Sequence, residues 1–470
     1  MVIDPESPLA DPQRIQGNIL RPFGGEHQAY LFLSFRHRRE QAREWLGAAA
    51  GRVDGTDDVV GGGIPPGRVY LNLGLTATGL VALHPEVAGD LAGFEAFWRG
   101  PLGARLDDAG RLSTTAALLG DAGAGDPEHW VIGGPGRAPV DALLTLAADD
   151  EPALRQRVEQ ERQAATALGL AVLSPEQWGT VVRGPDGQRV EHFGFADGIS
   201  QPGIRGFDGD ARPGSPAIAA GEFILGCAGE RRPQTWAPRP TPAPWLRGGS
   251  FQVFRRLRQD AAGWWARMEQ LAGEQSSPEE AAARALGRHL DGRPLAPVGD
   301  SQHRNDFTYA GDDEGARTPL YAHIRKMNPR NDEVFRDRGH KLLRRGIPFG
   351  PPFDRAAPDD RERGLIFNAY MASIEDQFEF LQRRWANDPG HPAVPDSGGH
   401  RVAGLDPVLG DDPGTARRRL GEQVAAEIPA PAFGGFVTTT GSVYAFAPSR
   451  PALALLAGGR SLSALVTTDG

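Results

Sequence analysis

"FQVFRRLRQDAAGWWARM", residues 251–268, runs from an aromatic and aliphatic segment into one of helical composition, the order of a strand followed by a helix. The same order occurs far upstream, where "AYLFLSF" (29–35) leads into the charged "RHRREQAREWLGAA" (36–49). A second pair shares a layout: "LLTLAADDEPALRQRVE" from Leu143 and "LIFNAYMASIEDQFEFL" from Leu365. Tyr30 and Phe251 are 221 residues apart, and Leu143 and Leu365 are 222 apart. Two near-equal offsets imply that a strand–helix unit occurs twice. Further strands are expected at "RVYLNLGL" (68–75), before a helix capped by Thr76, and at "FVTTTGSVYAFAP" (436–448). Mixed helices and strands with hairpin-like turns favour an α+β sandwich over a doubly wound parallel sheet.

A chain of 470 residues is long enough for two such units. The proline-rich "RRPQTWAPRPTPAPWLRGG" (231–249) is a natural junction, which divides the chain into 1–230, a junction over 231–250, and 251–470. Residues 274–300 and 386–430 read as polar insertions of the kind that frame a site.

A formal charge of −9 argues against nucleic acid or an anionic membrane as the main partner. One cysteine, Cys227, excludes an internal disulfide and any cysteine-rich metal site, and it suits a reducing compartment. The first twenty residues lack the basic and apolar segments of a signal peptide, and no stretch is long enough to span a bilayer, so a cytoplasmic protein is expected. Phosphate-loop, zinc-protease, nucleophile-elbow and haem-attachment motifs are absent.

Two segments carry the chemistry. In "EHFGFADGISQPGI" (191–204), Asp197 sits between Gly194 and Gly198 and among Phe193, Phe195 and Ile199, which suggests a buried carboxylate. Such a group needs a partner or a chemical task, although an Asx turn beside glycine is the ordinary alternative. In "YAHIRKMNPRNDEVFRDRGHKLLRRGIPFG" (321–350), His323 lies among apolar neighbours, either as a structural histidine or as a metal ligand through a neutral ring nitrogen. Arg344 and Arg345 follow between Leu343 and Ile347, so that one of them is expected to turn inward. An aspartate, a histidine and an inward arginine, without clustered cysteines, make a poor zinc site and a good haem site.

These segments resemble those of the dye-decolorising peroxidases. "GFADGIS" resembles the GxxDG motif of that family, "AHIRKMNPR" the segment of its haem-ligating histidine, and "LLRRGIPFG" the segment of its distal arginine. "QGNIL", "GEFILG", "GSFQVFRRLRQD", "NDFTYAGDDEG" and "GLIFNAYMASIEDQFEFLQRRWAN" match in family order over most of the chain. The stretch "LGCAGERRPQTWAPRP" departs from the family's composition.

The resemblance implies a pair of ferredoxin-like modules, each an antiparallel sheet with helices. It also implies haem b, with His323 as proximal ligand, Asp197 as distal acid–base residue, Arg344 as distal arginine, Leu365 and Phe367 lining the distal pocket, and Asp406 in "GLDPVLG" behind the histidine. The N-terminal module would carry Asp197, and the C-terminal module His323 and Arg344. The implied activity is oxidation of aromatic donors or dyes by hydrogen peroxide in one-electron steps through a ferryl intermediate. Two alternatives stay open, a haem-handling protein with little peroxidase activity and a haem enzyme for one metabolite. Tyr321, Trp264, Trp265 and Trp385 are candidate surface relays for bulky donors, and the tail "SLSALVTTDG" (461–470) is a candidate docking segment. Oligomeric state is not legible.

Overall fold

The computed structural model describes residue 9, residues 11–459 except 62, 108–109, 209–213, 231–237, 275, 300–303, 331–337, 393, 397–398, 402 and 412–433, and residue 462. The first half comprises β1 (His27–Ser34), α1 (Arg39–Ala50), β2 (Tyr70–Leu75), β3 (Ala142–Ala148), α2 (Glu151–Ala167) and β4 (Ala171–Thr180). The second half repeats this order with β5 (Ser250–Gln259) and α3 (Ala261–Ala272), then α4 (Pro278–Leu286) and the short α5 (His323–Met327). It continues with β6 (Leu343–Arg344), β7 (Ile347–Phe349), β8 (Gly364–Met371), β9 (Val437–Ala447) and α6 (Arg450–Ala457).

Strand order is β4-β1-β3-β2 in the first half and β9-β5-β8 in the second, with β6 and β7 both on β8. Every pairing in this sheet is antiparallel. Counted within each half, both have the order 4-1-3-2 of a ferredoxin-like unit. The duplication read from the two offsets is therefore real. The halves join edge to edge at one residue pair, Phe446 with Leu75.

The β1 run lacks polar alternation because both of its faces are buried. Ala29, Leu31 and Leu33 pack into the large core under the helices, while Tyr30 and Phe32 join Phe254, Ile347 and Val443 in a second core. There Phe254 of β5 meets Tyr30 and Phe32 at ring-centroid distances of 5.2 and 5.1 Å, so the two equivalent strands of the duplicated units touch.

The other face of β5 changes character along its length. Phe251 and Val253 lie in the core, whereas Arg255, Leu257 and Gln259 line a cavity. On β8, Met371 and Ala369 are core, and Phe367 and Leu365 line the same cavity.

Thr76 caps its helix as expected, accepting from Gly79 N at 3.1 Å. Other expectations need correction. The 274–300 stretch contains α4, opened by a reciprocal cap in which Glu280 N donates to Ser277 Oγ and Ser277 N to Glu280. The helical segment after β8 is wound as two π-helical pieces, Ile374–Glu379 and Leu381–Ala386. Residues 412–433, and the tail 461–470 apart from Leu462, lie outside the described residues.

The outer edges of the two halves also meet, where Gly179 of β4 lies against Ile347 of β7. A Cβ at Gly179 would come within 2.2 Å of Ile347 Cγ2. Gly179→Ala is expected to cost about 1–3 kcal/mol in chemical denaturation through overpacking of this seam. A change within about 0.5 kcal/mol would mean that the seam yields freely.

Candidate active site

A cavity of about 970 Å³ is lined by the ends of β5, β8 and β9, by α5 and by the 195–202 loop. That volume is at the upper end of the roughly 300–1,000 Å³ typical of ligand and cofactor sites.

His323 opens α5 and lines this cavity. Its Nδ1 lies 2.9 Å from Asp406 Oδ2 and 3.1 Å from Oδ1. Asp406 is fully buried, and its Oδ1 also accepts the amides of Val408 at 2.8 Å and Leu409 at 2.9 Å. Burial alone would push this carboxyl up, but the His323 ring and the two amides outweigh it and hold the group below its ordinary range.

With a carboxylate at Nδ1, that nitrogen is the donor, and Nε2 keeps a lone pair. Nε2 has no hydrogen-bond partner among the described residues. One turn on, the buried Lys326 ammonium donates to the carbonyls of Asp388 and Gly404, each at 2.8 Å, and to that of His391. Burial pulls Lys326 down to about 7 against the opposing charges of Asp406 and Asp388.

Asp197 is delivered by a loop with left-handed glycines, Gly194 at φ +94° and Gly198 at φ +75°. The expectation of a buried Asp197 is corrected. Phe193 and Phe195 are buried, Phe193 stacking on Trp264 at 4.6 Å, whereas Asp197, two residues beyond Phe195, is exposed and lines the cavity. Asp197 Oδ1 accepts from Gly198 N at 2.6 Å, and Oδ2 has no partner among the described residues.

The adjacent arginines divide. Arg344 lines the cavity, donates from Nη2 to Ser200 O, and is fixed by Gln201, whose amide brackets its backbone. Desolvation lowers the Arg344 guanidinium and the nearby Asp197 charge opposes this, so the two groups are electrostatically coupled. Arg345 also borders the cavity, but its buried guanidinium is tied to the carbonyls of Asn18, Ile19 and Leu20 at the end of the short helix Gly17–Leu20.

Leu365 and Phe367 line the cavity as expected. Arg288, Arg330 and Lys341 line it too, and none of these was singled out in the sequence. Arg288 and Arg330 both bond Asn305 Oδ1, at 3.0 and 2.7 Å, a pairing between distant segments that carries no local signal.

Three of the four candidate surface relays do not reach the surface. Trp264, Trp265 and Trp385 are buried, and Tyr321 is partly buried. Cys227 lies away from the cavity, and burial pushes its thiol up to about 11.

The residues fit a haem. An imidazole lone pair stands free in a largely apolar cavity whose cationic side chains include Arg288, Arg330 and Lys341, which suit two propionates.

The family model for Dyp-type peroxidase, C-terminal, matches residues 229–393. The chain is 31% identical to the multifunctional dye peroxidase DyP2 of Amycolatopsis sp., over 93% of each protein. The chain belongs to the dye-decolorising peroxidase family. A dye-decolorizing peroxidase of Exidia glandulosa is 30% identical over 82% of this chain and 75% of its own. A solved dye-decolorizing peroxidase, in complex with 2,6-dimethoxyphenol, superposes with a TM-score of 0.77 at 25% identity, covering 96% of this chain and 100% of that one. As a dye-decolorising peroxidase the chain is a haem enzyme, an oxidoreductase that consumes peroxide. Among the described residues, no helix is long and apolar enough to cross a membrane.

Asp406→Asn is expected to keep the fold and weaken haem binding about 10- to 100-fold, as loss of a carboxylate behind a ligating histidine typically does. Titration of the haem-free protein with haemin, followed at the Soret band, measures it. Unchanged affinity would mean that Asp406 does not orient the ring.

Proposed function

We propose that the enzyme binds haem b through His323 Nε2, with Asp406 fixing the ring, and that Asp197 and Arg344 carry out the proton and charge work on hydrogen peroxide. The observation that carries this reading is the His323 to Asp406 contact of 2.9 Å, made by a ring nitrogen whose counterpart is left free at the cavity. The bound haem would supply the iron that accepts the peroxide and holds the oxidising equivalents. The chain's own groups do the rest.

Asp197 Oδ2, the carboxylate oxygen without a partner among the described residues, takes the proton from the inner peroxide oxygen and returns it to the outer oxygen as water departs. Arg344, held by Ser200 and Gln201, stabilises the negative charge that builds up as the O–O bond breaks. Leu365 and Phe367 keep that side of the cavity apolar, so that the proton passes through Asp197 rather than through bulk water. Arg288, Arg330 and Lys341 are the candidates for the propionates.

The proposal extends to the donor. Aromatic small molecules, phenols and dyes are the class supported by the solved relative's complex with 2,6-dimethoxyphenol. It also assigns Asp197 to an N-terminal module of residues 1–230, and His323 and Arg344 to a C-terminal module of residues 251–470, across a junction at 231–250. A reducing compartment such as the cytoplasm is in keeping with a single cysteine.

His323→Ala is expected to abolish stable haem binding. Asp197→Asn should keep haem and slow the reaction with peroxide by about 10²–10⁴-fold, read by stopped-flow absorbance. Peroxide reactivity equal to the parent in Asp197→Asn would overturn the proton shuttle.

Arg344→Leu should lower the same rate by about 10²–10³-fold with haem retained. Arg345→Leu should act chiefly on thermal stability. The reverse pattern would move the distal role to Arg345.

A further inference from the structure

The turn that presents Asp197 is built around another carboxyl. Glu191 accepts the amide of Phe193 at 2.9 Å and that of Phe195 at 3.0 Å. Its own backbone closes the turn, with Glu191 N donating to Phe195 O at 3.1 Å and Gly194 N donating to Glu191 O at 2.8 Å. From β5, Gln259 Nε2 donates to Glu191 Oε2 at 2.6 Å. Glu191 and Gln259 both line the cavity that holds Asp197.

We propose that Glu191 is a positioning residue for Asp197: its carboxyl, backed by Gln259, holds the turn that presents Asp197 to the cavity and acts on it as a second, coupled charge. This rests on the reading of Asp197 as the acid–base residue.

Gln259 supplies an independent observation. Its Oε1 is buried and has no partner among the described residues. Exchange of the amide O and N, which conserves shape, would let a protonated Glu191 donate to that oxygen. The pair can thus satisfy itself with Glu191 either ionised or protonated.

Burial pushes Glu191 up to about 7, opposed by the Phe193 amide, Gln259 and the Phe195 amide and reinforced by Asp197. Asp197, from the same loop, is the charged group that acts on Glu191, and β5 faces it with the uncharged Gln259. Neighbouring His192 points away to Phe349 O at 2.8 Å, and burial pulls it down to about 4, so it is neutral where Glu191 titrates. An ionised Glu191 grips the two amides, and with them the turn that presents Asp197, more strongly than a protonated one does. The rate with peroxide should therefore rise with pH as Glu191 ionises.

The test compares haem-loaded wild type, Glu191→Gln, Asp197→Asn and the double variant. Glu191→Gln should retain haem, leave the KM for an organic donor unchanged, lower the second-order rate with peroxide about tenfold, and lose the rise in that rate near pH 7 seen in wild type. In the Asp197→Asn background it should change nothing further. Gln259→Leu removes a bond that favours the ionised form and should move the rise to higher pH.

Haem-free protein gives a readout that does not depend on activity. A carboxyl held protonated more tightly in the folded chain gives stability that is complete below its unfolded value, near 4.5, and lost as pH climbs through about 7. The Tm of wild type should fall relative to Glu191→Gln over that window.

A Glu191→Gln rate and pH profile equal to wild type, or an additive effect in the Asp197→Asn background, would overturn the proposal. Asp197→Asn as fast as wild type would instead remove the underlying acid–base reading, and a slow Glu191→Gln alongside it would also overturn the coupling.

Discussion

Asp406 has no exposed surface, and an ionised carboxylate in that position costs several kcal/mol unless charge and hydrogen bonds offset it. The offsets are the His323 ring and the amides of Val408 and Leu409. Each has a consequence at the cavity. The amides fix the direction of the carboxylate, the carboxylate fixes which nitrogen of His323 carries the proton, and the other nitrogen is left with a defined lone pair. α5 spans only five residues and could not hold its histidine unaided. Lys326 on the same helix anchors it by three bonds to backbone carbonyls of the segment that leads to Asp406. Histidine, aspartate and lysine thus form one connected unit, with the aspartate and the lysine buried.

The remainder of the site follows from a sheet whose two faces do different work. On one face, Tyr30, Phe32 and Phe254 bring the equivalent strands of the two units together. The other face is core at one end and cavity wall at the other, so that β5 and β8 deliver Arg255, Leu257, Gln259, Phe367 and Leu365 from rigid backbone. The loop that bears Asp197 lies on this wall, tied to it by the Glu191 to Gln259 contact. Residues of both halves therefore meet in one cavity, through long-range contacts that local helix or strand propensity does not determine.

Legibility in the sequence tracked the range of the interaction. The duplicated strand–helix order and its offsets of 221 and 222 residues were readable because buried strands leave apolar runs. The Thr76 cap was readable because it acts over three residues. The Ser277 and Glu280 cap of α4 has the same short range, yet the polar composition of 274–300 masked it. The glycines mark the turn that bears Asp197, but the flanking Phe193 and Phe195 suggest burial of the whole stretch, whereas the structure buries the two rings and leaves Asp197 exposed. The choice between Arg344 and Arg345 depends on carbonyls of Asn18, Ile19 and Leu20, more than 300 positions away, and only the family motif favoured the first. Glu191, Arg288 and Arg330 were passed over for the same reason, since Gln259 and Asn305 are distant in sequence from some or all of the groups they serve.

The proposed chemistry requires a cavity that takes haem through His323 and presents peroxide to Asp197 and Arg344. The most direct measurement is the visible spectrum of the purified protein loaded with one equivalent of haemin, recorded before and after one equivalent of hydrogen peroxide. The expected result is a Soret band characteristic of histidine-ligated ferric haem that shifts on mixing and returns when an aromatic donor is added. No Soret band on loading, or a band that peroxide only bleaches, would contradict it.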